Sequence, residues 1–227
     1  MMHYYLIEAR APLYSVKVVD VYQVASAYPL PTPHAVVGAL GAAMAHAGMC
    51  RGSRCMKEAE GLVVAARPAA VGELAKFPAV LWRTRGVLED KSLPAGLEDY
   101  AGARDAMVRE YVYAHAVKIL LVTRERVPQH VIRLVARLGD SESYVSVVDV
   151  LEGKPRECGG LVNVAVRAAK ARRGSYTLYR ALDERGNREL FAYPLVEEGG
   201  VYRRGGVEVG SKVLCLGEAV FPEGDDW

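Results

Sequence analysis

Hydrophobic and polar positions follow two different periods along the chain, and together they predict a sheet packed by helices. Residues 3–10, 15–24, 61–67 and 144–152 are rich in aromatic and β-branched residues, which is typical of strands. Residues 111–123 form the longest run of this kind. We therefore expect these segments to pair in a sheet.

The first helical signal follows a loop with three prolines. Thr32 is suited to cap a helix, and Pro33 suits its first turn. The predicted helix runs to about Ala47 and is dominated by small residues. Its glycines, Gly38 and Gly41, would allow a second backbone to come close.

A second helix is predicted from Pro128 to Leu138, on an apolar stripe that includes Val131 and Val135. Gly139 is then the expected residue of positive φ after the helix. Ser141, Glu142 and Ser143 follow and are expected to fix a tight turn through side chain-to-backbone bonds.

The order of elements is strand–helix–strand, repeated twice, which predicts an α+β fold with a ferredoxin-like, RRM-type core. Residues 68–108 contain three prolines and no persistent period, so we expect an inserted excursion with a hairpin. Residues 1–155 would form the main domain. Residues 156–227 would form a smaller β-rich subdomain.

Composition narrows the class of protein. Of the 227 residues, 51% are hydrophobic and 25% charged, as in ordinary globular proteins. The longest apolar run, residues 35–45, is too short for a membrane span, and residues 1–12 lack a secretory pattern. We expect a cytoplasmic protein without a membrane partner. Scarce Asn and Gln suggest a hyperthermophile, or a GC-rich genome.

The four cysteines form no CxxC pair. Cys50 and Cys55 are five residues apart, which is poor spacing for zinc. Buried free thiols are expected, and a disulfide is the alternative if the source is a hyperthermophile.

Charge is uneven although the net charge is only +2. Residues 21–57 and 158–182 contain no acid but several Arg and Lys, and Arg outnumbers Lys. Such stretches favour a polyanionic partner held along one face, although solvated basic loops explain them equally well. Arg167–Arg173 (RAAKARR) is either a phosphate-contacting loop or a solvated turn.

Motifs of common enzymes are missing from the sequence. It has no GxxxxGK[ST], HExxH or GxSxG motif and no carboxylate set spaced to hold two metals. The histidines are scattered. We therefore predict no metal and no cofactor.

The tract YPLPTPHAVVGALGAA places an aromatic, a rigid turn, a hydroxyl and a histidine at a helix N-terminus. Free N–H groups and the helix dipole there favour a phosphate. Tyr28 or His34 could stack on an unpaired base. A capped helix with a proline-rich approach is the alternative.

This tract and the segment EARAPLYS before it resemble the opening of the Cas5 family of CRISPR-associated proteins. The LGDSES turn followed by a Val-rich strand is also similar to that family, in particular to its archaeal type I-A and I-B members. The resemblance covers the N-terminal two-thirds of the chain.

The resemblance implies a subunit of a Cascade interference complex in antiviral defence. Such a subunit binds the 5′ handle of the crRNA and caps a backbone of Cas7 subunits, in a complex that works with other Cascade subunits and the Cas3 helicase/nuclease components. A hairpin thumb contacts the guide, and residues 68–108 are its candidate. The predicted RNA contacts are Arg10, Lys17, Tyr28, His34, Arg83, Arg85, Arg104 and Arg137.

One branch, type I-C, cleaves precursor RNA with a Tyr–Lys–His group. Here His115 and Lys118 should lie on opposite faces of their strand, and His46 lies within a helix. We therefore expect no catalysis. Two alternatives remain: a metal-independent endoribonuclease acting on repeat RNA, and a protein–protein adaptor. Tyr111, Tyr113 and His115 could form an RNA platform, or lie beneath another element.

Overall fold

Strands dominate the computed structural model, which describes residues 2–21, 25–83, 95–96, 98 and 104–224. The strands are β1 His3–Arg10, β2 Val63–Arg83, β3 Asp105–Thr123, β4 Ser146–Gly153, β5 Arg156–Cys158, β6 Val166–Arg167, β7 Ala171–Ser175, β8 Thr177–Leu182, β9 Arg188–Tyr193, β10 Leu195–Glu198, β11 Val201–Arg204, β12 Gly206–Val209, β13 Val213–Leu216 and β14 Ala219–Pro222. The helices are α1 Pro33–His46, α2 Arg54–Leu62 and α3 Gln129–Ile132.

Six strands pair in one antiparallel sheet in the order β10-β11-β2-β3-β1-β4. β1 lies between β3 and β4, and its Ile7 lies opposite Ile119 of β3 and Val150 of β4. The strands predicted at 3–10, 111–123 and 144–152 are confirmed. The strand predicted at 15–24 is wrong for its described part, which makes only an isolated bridge at Lys17.

The two faces of the sheet pack into two separate buried clusters. Ile7 and Ile119 join the cluster that contains Leu40 of α1. Leu6 and Leu120 join the cluster formed with the C-terminal strands. Among the described residues, no helix has both the length and the apolar character that a membrane crossing requires.

Helix α1 begins as the sequence predicts. The Thr32 hydroxyl accepts a hydrogen bond from the Ala35 amide at 3.2 Å. An added Cβ on Gly41 would lie 3.1 Å from the Cys55 carbonyl oxygen. Gly41 therefore permits the close backbone approach that was predicted, and the element that approaches is α2.

Helix α2 was missed because it is short and mostly polar, burying only Cys55 and Ala59. A disulfide between Cys50 and Cys55 closes the turn between α1 and α2. A second disulfide joins Cys158 of β5 to Cys215 of β13. The expectation of free thiols is therefore wrong, and the disulfide alternative holds.

The long strand β2 corrects the predicted excursion. Pro68 and Gly72 are typical of breaks in regular structure, but β2 passes through both. Pro68 uses its carbonyl to accept from the Ala165 amide at 3.0 Å, and Gly72, at φ +74°, lies in a bulge. Leu74 is 1% exposed. The segment from residue 68 to about 76 is therefore core strand, and only the remaining part of β2 leaves the body of the sheet.

Helix α3 is also shorter than predicted. It covers four residues, because residues 136–138 instead pair back against 143–145. The Val145 amide donates to the Ala136 carbonyl at 3.0 Å, and the Leu138 amide donates to Ser143 at 3.1 Å. Leu138 is buried but Leu134 is exposed, so only part of the predicted stripe packs.

The remaining strands form three small sheets, ordered β12-β7, β14-β13-β5 and β6-β9-β8. The predicted β-rich character of the C-terminal region is thus confirmed. β10 and β11, however, add to the edge of the large sheet through β2. In RAAKARR, Arg167 ends β6, Ala168–Lys170 form a 3-10 turn, and the last three residues begin β7.

Candidate nucleic-acid interface

The LGDSES turn holds two distant segments together. The Ser143 hydroxyl accepts from the Ser15 amide at 2.9 Å, and the Asp140 amide donates to the Ser15 carbonyl at 3.0 Å. Gly139, at φ +103°, allows this contact, because an added Cβ would lie 2.6 Å from the Ser15 oxygen. The predicted turn is present, but the side chain of Ser143 bonds the backbone of the segment after β1 rather than that of the turn, and Glu142 bonds side chains.

The same turn contacts the base of the hairpin formed by β2 and β3, at Arg109 and Tyr111. The Arg109 guanidinium lies 3.0 Å from Asp140 and 3.3 Å from Glu142. The Tyr111 hydroxyl donates to Glu142 at 2.7 Å. Burial raises the pKa of Tyr111, and the hydrogen bond to Glu142 adds to this. Arg109 is thus committed to carboxylates and is a poor candidate for a phosphate.

Three predicted cations lie on the segments that this turn joins. Arg10 lies opposite Ser146, Lys17 follows the bound Ser15 by two residues, and Arg137 lies opposite Tyr144. All three side chains are exposed. We call Arg10, Lys17 and Arg137 the basal cluster.

An aromatic side chain accompanies the basal cluster. The Arg137 guanidinium lies 4.9 Å above the ring of Tyr144 and donates to its hydroxyl at 3.0 Å. Tyr144 is 60% exposed. Nucleic-acid bases stack on exposed aromatic and guanidinium planes of this kind. Sequence reasoning missed Tyr144, although its place after LGDSES was a usable signal.

The predicted aromatic face of β3 is divided. Tyr111 is buried, whereas Tyr113 and His115 are exposed. Lys118 belongs to the opposite face, where its ammonium lies 2.6 Å from Glu218 and 3.4 Å from Glu8. His115 and Lys118 therefore do not converge on one point, as the alternation of the strand predicts.

Beyond its base the hairpin projects from the sheet. On one edge of the hairpin, the last backbone bond to the rest of the fold runs from the Lys76 amide to the Gly200 carbonyl. On the other edge, the Ala25 amide donates to the Val108 carbonyl. Past these points, within the described residues, β2 and β3 have only each other as paired neighbours. At about 3.3 Å per residue, the strand from residue 76 to residue 83 extends about 23 Å.

The projecting strands expose apolar side chains. Val80 and Val108 lie opposite each other and are 60% and 41% exposed, and Trp82, on the same face, is 72% exposed. Arg104 is exposed beside the start of β3. Arg83 ends β2, and Arg85 lies outside the described residues. Trp82 was missed as a contact because the segment was not recognised as a regular strand.

Tyr28 requires a correction. It is 1% exposed, its hydroxyl donates to the Arg180 carbonyl at 2.5 Å, and its ring packs edge-on against Tyr179. Burial raises its pKa, while the bond from the Val19 amide opposes this. Tyr28 is a core residue, so the prediction that it stacks on a base is wrong.

His34 occupies the second position of α1 and is half-buried. Its Nδ1 is buried without a hydrogen-bond partner in the described part of the chain. The nearest ring carbon would lie 3.4 Å from a Cβ added to Gly186, in the turn between β8 and β9. His34 therefore faces the C-terminal region, and no described contact joins it to the basal cluster.

The fold is that of a mixed α/β protein with a large antiparallel sheet and a projecting hairpin. A surface with basic and aromatic side chains lies at the base of the hairpin. Residues 4–186 match the model of the CRISPR-associated protein family Cas5. The chain belongs to the Cas5 family.

Individual proteins are also similar to the chain. The chain is 97% identical over 226 residues to a protein named CRISPR-associated protein Cas5 from Thermoproteus tenax, and each sequence is covered in full. It is similar in fold to a CRISPR protein from Archaeoglobus fulgidus, with a TM-score of 0.58, 20% identity and 97% of both chains covered. A chain of a CRISPR RNA-guided surveillance complex matches with a TM-score of 0.46, 15% identity and 91% of both chains covered.

Proposed function

We propose that the chain is a non-catalytic subunit of a type I-A Cascade complex, where it binds the 5′ handle of the crRNA and caps the Cas7 backbone. The observation that carries this proposal is the hairpin that projects about 23 Å beside the basal cluster. A flat globular surface would give RNA no such arm to wrap around.

The core supports the proposal through its topology. The order β2-β3-β1-β4, with α1 after β1 and α3 before β4, is that expected of a ferredoxin-like core. The hairpin is then the thumb, formed by extending the two strands β2 and β3 rather than by a separate insertion. A thumb continuous with the sheet is held at a fixed angle.

The chemistry of the surface suits a single strand of RNA. Arg10, Lys17 and Arg137 would neutralise phosphates, which makes binding sensitive to salt. Tyr113, next to the hairpin base, and Trp82, on the hairpin, would stack on unpaired bases. Such recognition reads shape, charge and stacking more than base edges.

The absence of catalysis is part of the proposal. RNA cleavage without a metal needs a base and an acid on one phosphate. Lys118 is engaged by two carboxylates on the face opposite His115, which supports a binding role. The Cas7 backbone, the other Cascade subunits and the Cas3 components are the proposed protein partners.

Binding of labelled crRNA across salt concentrations tests the proposal. Changing Arg10, Lys17 and Arg137 together to Gln should weaken crRNA binding by about tenfold or more. The dependence of affinity on salt concentration should also become shallower. Arg172→Gln, at an exposed arginine of β7, is the control for the three single substitutions, which are measured beside the triple variant. Equal affinity of the triple variant and the wild type would contradict the proposal.

The hairpin has its own variant. Trp82→Ala should weaken crRNA binding about tenfold, because stacking on one base contributes about 1–3 kcal/mol. Leu178→Ala, half-exposed on β8, removes a comparable exposed apolar side chain away from the hairpin. If Trp82→Ala binds crRNA as tightly as the wild type, the hairpin does not contact the RNA through this side chain.

A further inference from the structure

A second polar site lies away from the hairpin, beside the turn between β8 and β9. It is a cleft of about 560 Å³ with two unlike walls. Arg124, Arg167, Arg185 and Asn187 contribute the polar wall, and Val63 and Val64 contribute apolar surface. This volume is in the usual range for small-molecule sites.

Two of the carboxylates that line the cleft are already satisfied by the protein. Asp183 accepts from the backbone amides of Arg185 and Asn187 at 2.9 and 2.8 Å. Glu184 accepts from the Ala66 amide at 2.8 Å and from the Arg67 guanidinium. Both acids are buried. Both carboxylates therefore already have donors within the fold, and Asp183 also forms an ion pair with Arg167.

Two guanidinium groups in this region, those of Arg67 and Arg167, retain unpaired donors in the described part of the chain. Arg67, directly behind Glu184, is 1% exposed, and its Nε and Nη2 have no hydrogen-bond partner in the described part of the chain. The Nε of Arg167 is also buried and unpaired there. Its Nη2 lies 3.9 Å from Asp183, which is an ion pair but beyond hydrogen-bond distance.

Unpaired buried donors are costly, and they favour an acceptor that fills them. Burial lowers the pKa of Arg67, the adjacent Glu184 opposes this, and Arg167 lowers it further by a smaller amount. Arg67 does not itself line the cleft, so an anion there would meet Arg167 rather than Arg67. Glu189 is the third carboxylate of the wall and would oppose an anion.

We propose that this cleft binds the phosphate group of a nucleotide, with Arg124, Arg167 and Arg185 around the phosphate and Val63 and Val64 against the organic part. The ligand is either a free mononucleotide or a nucleotide within a strand. This proposal is independent of the proposed crRNA function, because it concerns a different surface.

Calorimetry of the whole chain with AMP, with inorganic phosphate and with a short oligoribonucleotide tests the site. AMP or the oligoribonucleotide should bind more tightly than inorganic phosphate, and the tighter of the two identifies the source. Arg124→Gln and Arg167→Gln should each weaken that binding about tenfold, the effect of one charged hydrogen bond.

The matched variants make the test specific. Glu189→Gln should strengthen binding severalfold, because it removes the opposing charge without removing a donor. Arg172→Gln, outside the cleft, should leave it unchanged. The site is refuted if neither AMP nor the oligoribonucleotide binds, or if binding survives in the Arg124 and Arg167 variants. Because AMP carries no handle, failure here leaves the crRNA proposal intact.

Discussion

Replacing Gly139 by Ala should destabilise the fold through the signature turn. The residue has φ +103°, and the new Cβ would lie 2.6 Å from the Ser15 oxygen and 2.7 Å from Val16 Cγ2. Both atoms must move, although the Ser15 backbone is held by Asp140 and by Ser143. The variant therefore combines an unfavourable backbone conformation with a displaced hydrogen-bonded segment.

The magnitude follows from those two costs. Positive φ costs an alanine about 1–2 kcal/mol. Weakening one or two hydrogen bonds of the turn costs about 1 kcal/mol each. We expect Gly139→Ala to lower the free energy of unfolding by roughly 2–4 kcal/mol.

Urea unfolding measures this, and Gly48→Ala is the matched control. Gly48 also has positive φ, at +74°, but an added Cβ there meets nothing within 4 Å. Its variant should therefore lose only the conformational cost of positive φ, about 1–2 kcal/mol. If Gly139→Ala is no less stable than Gly48→Ala, the close approach to Ser15 contributes nothing and the reasoning is refuted.

Three further predictions concern stability. Changing Cys158 and Cys215 to Ser should lower the free energy of unfolding by about 4 kcal/mol, because their disulfide closes a separation of 57 residues; an unchanged urea midpoint would count against it. Tyr28→Phe should lose about 1 kcal/mol in the same assay, with unaltered crRNA affinity, since its hydroxyl bonds the protein. The hydrogen bond from Lys118 holds the pKa of Glu218 below its ordinary 4.5, so this stabilisation is present above about pH 4.5 and is lost as pH falls through the depressed value. Glu218→Gln should flatten the acid side of the stability profile, and an identical profile would contradict the pairing.

Local signals predicted the parts of the fold that depend on neighbours in sequence. Thr32 and Pro33 placed the start of α1, because capping involves residues within one turn. Gly41 and Gly139 were recognised as special positions. Their partners, Cys55 and Ser15, could not be identified, because those contacts depend on how distant segments meet.

The errors have physical causes of the same kind. Pro68 resembles a break, yet it is tolerated because β2, among the described strands, lacks a paired neighbour on that side until β11 joins it near Leu74. The stripe through Leu138 resembles a helix, yet residues 136–138 pair with 143–145 instead. Tyr28 resembles an exposed aromatic in a loop, and only the position of β8 reveals that it is buried.

The candidate surface was predicted in part. The segments that carry Lys17 and Arg137 come together because Ser143 and Asp140 bind Ser15, a contact between residues far apart in the sequence. Trp82 carried no distinguishing local pattern and Tyr144 only its place after LGDSES, and both became candidates through their exposure. Sequence alone therefore suggested the cations better than the stacking residues.

The most direct test of the central claim uses the purified chain with labelled CRISPR repeat RNA and mature crRNA, in the presence of a chelator. A denaturing gel shows cleavage, and a parallel shift assay across salt, with and without the Cas7 subunit, shows binding. The account predicts intact RNA and a salt-sensitive shift that the Cas7 subunit strengthens. A defined cut within the repeat would contradict it in favour of a metal-independent endoribonuclease, and no shift even with the Cas7 subunit would contradict it in favour of a protein adaptor.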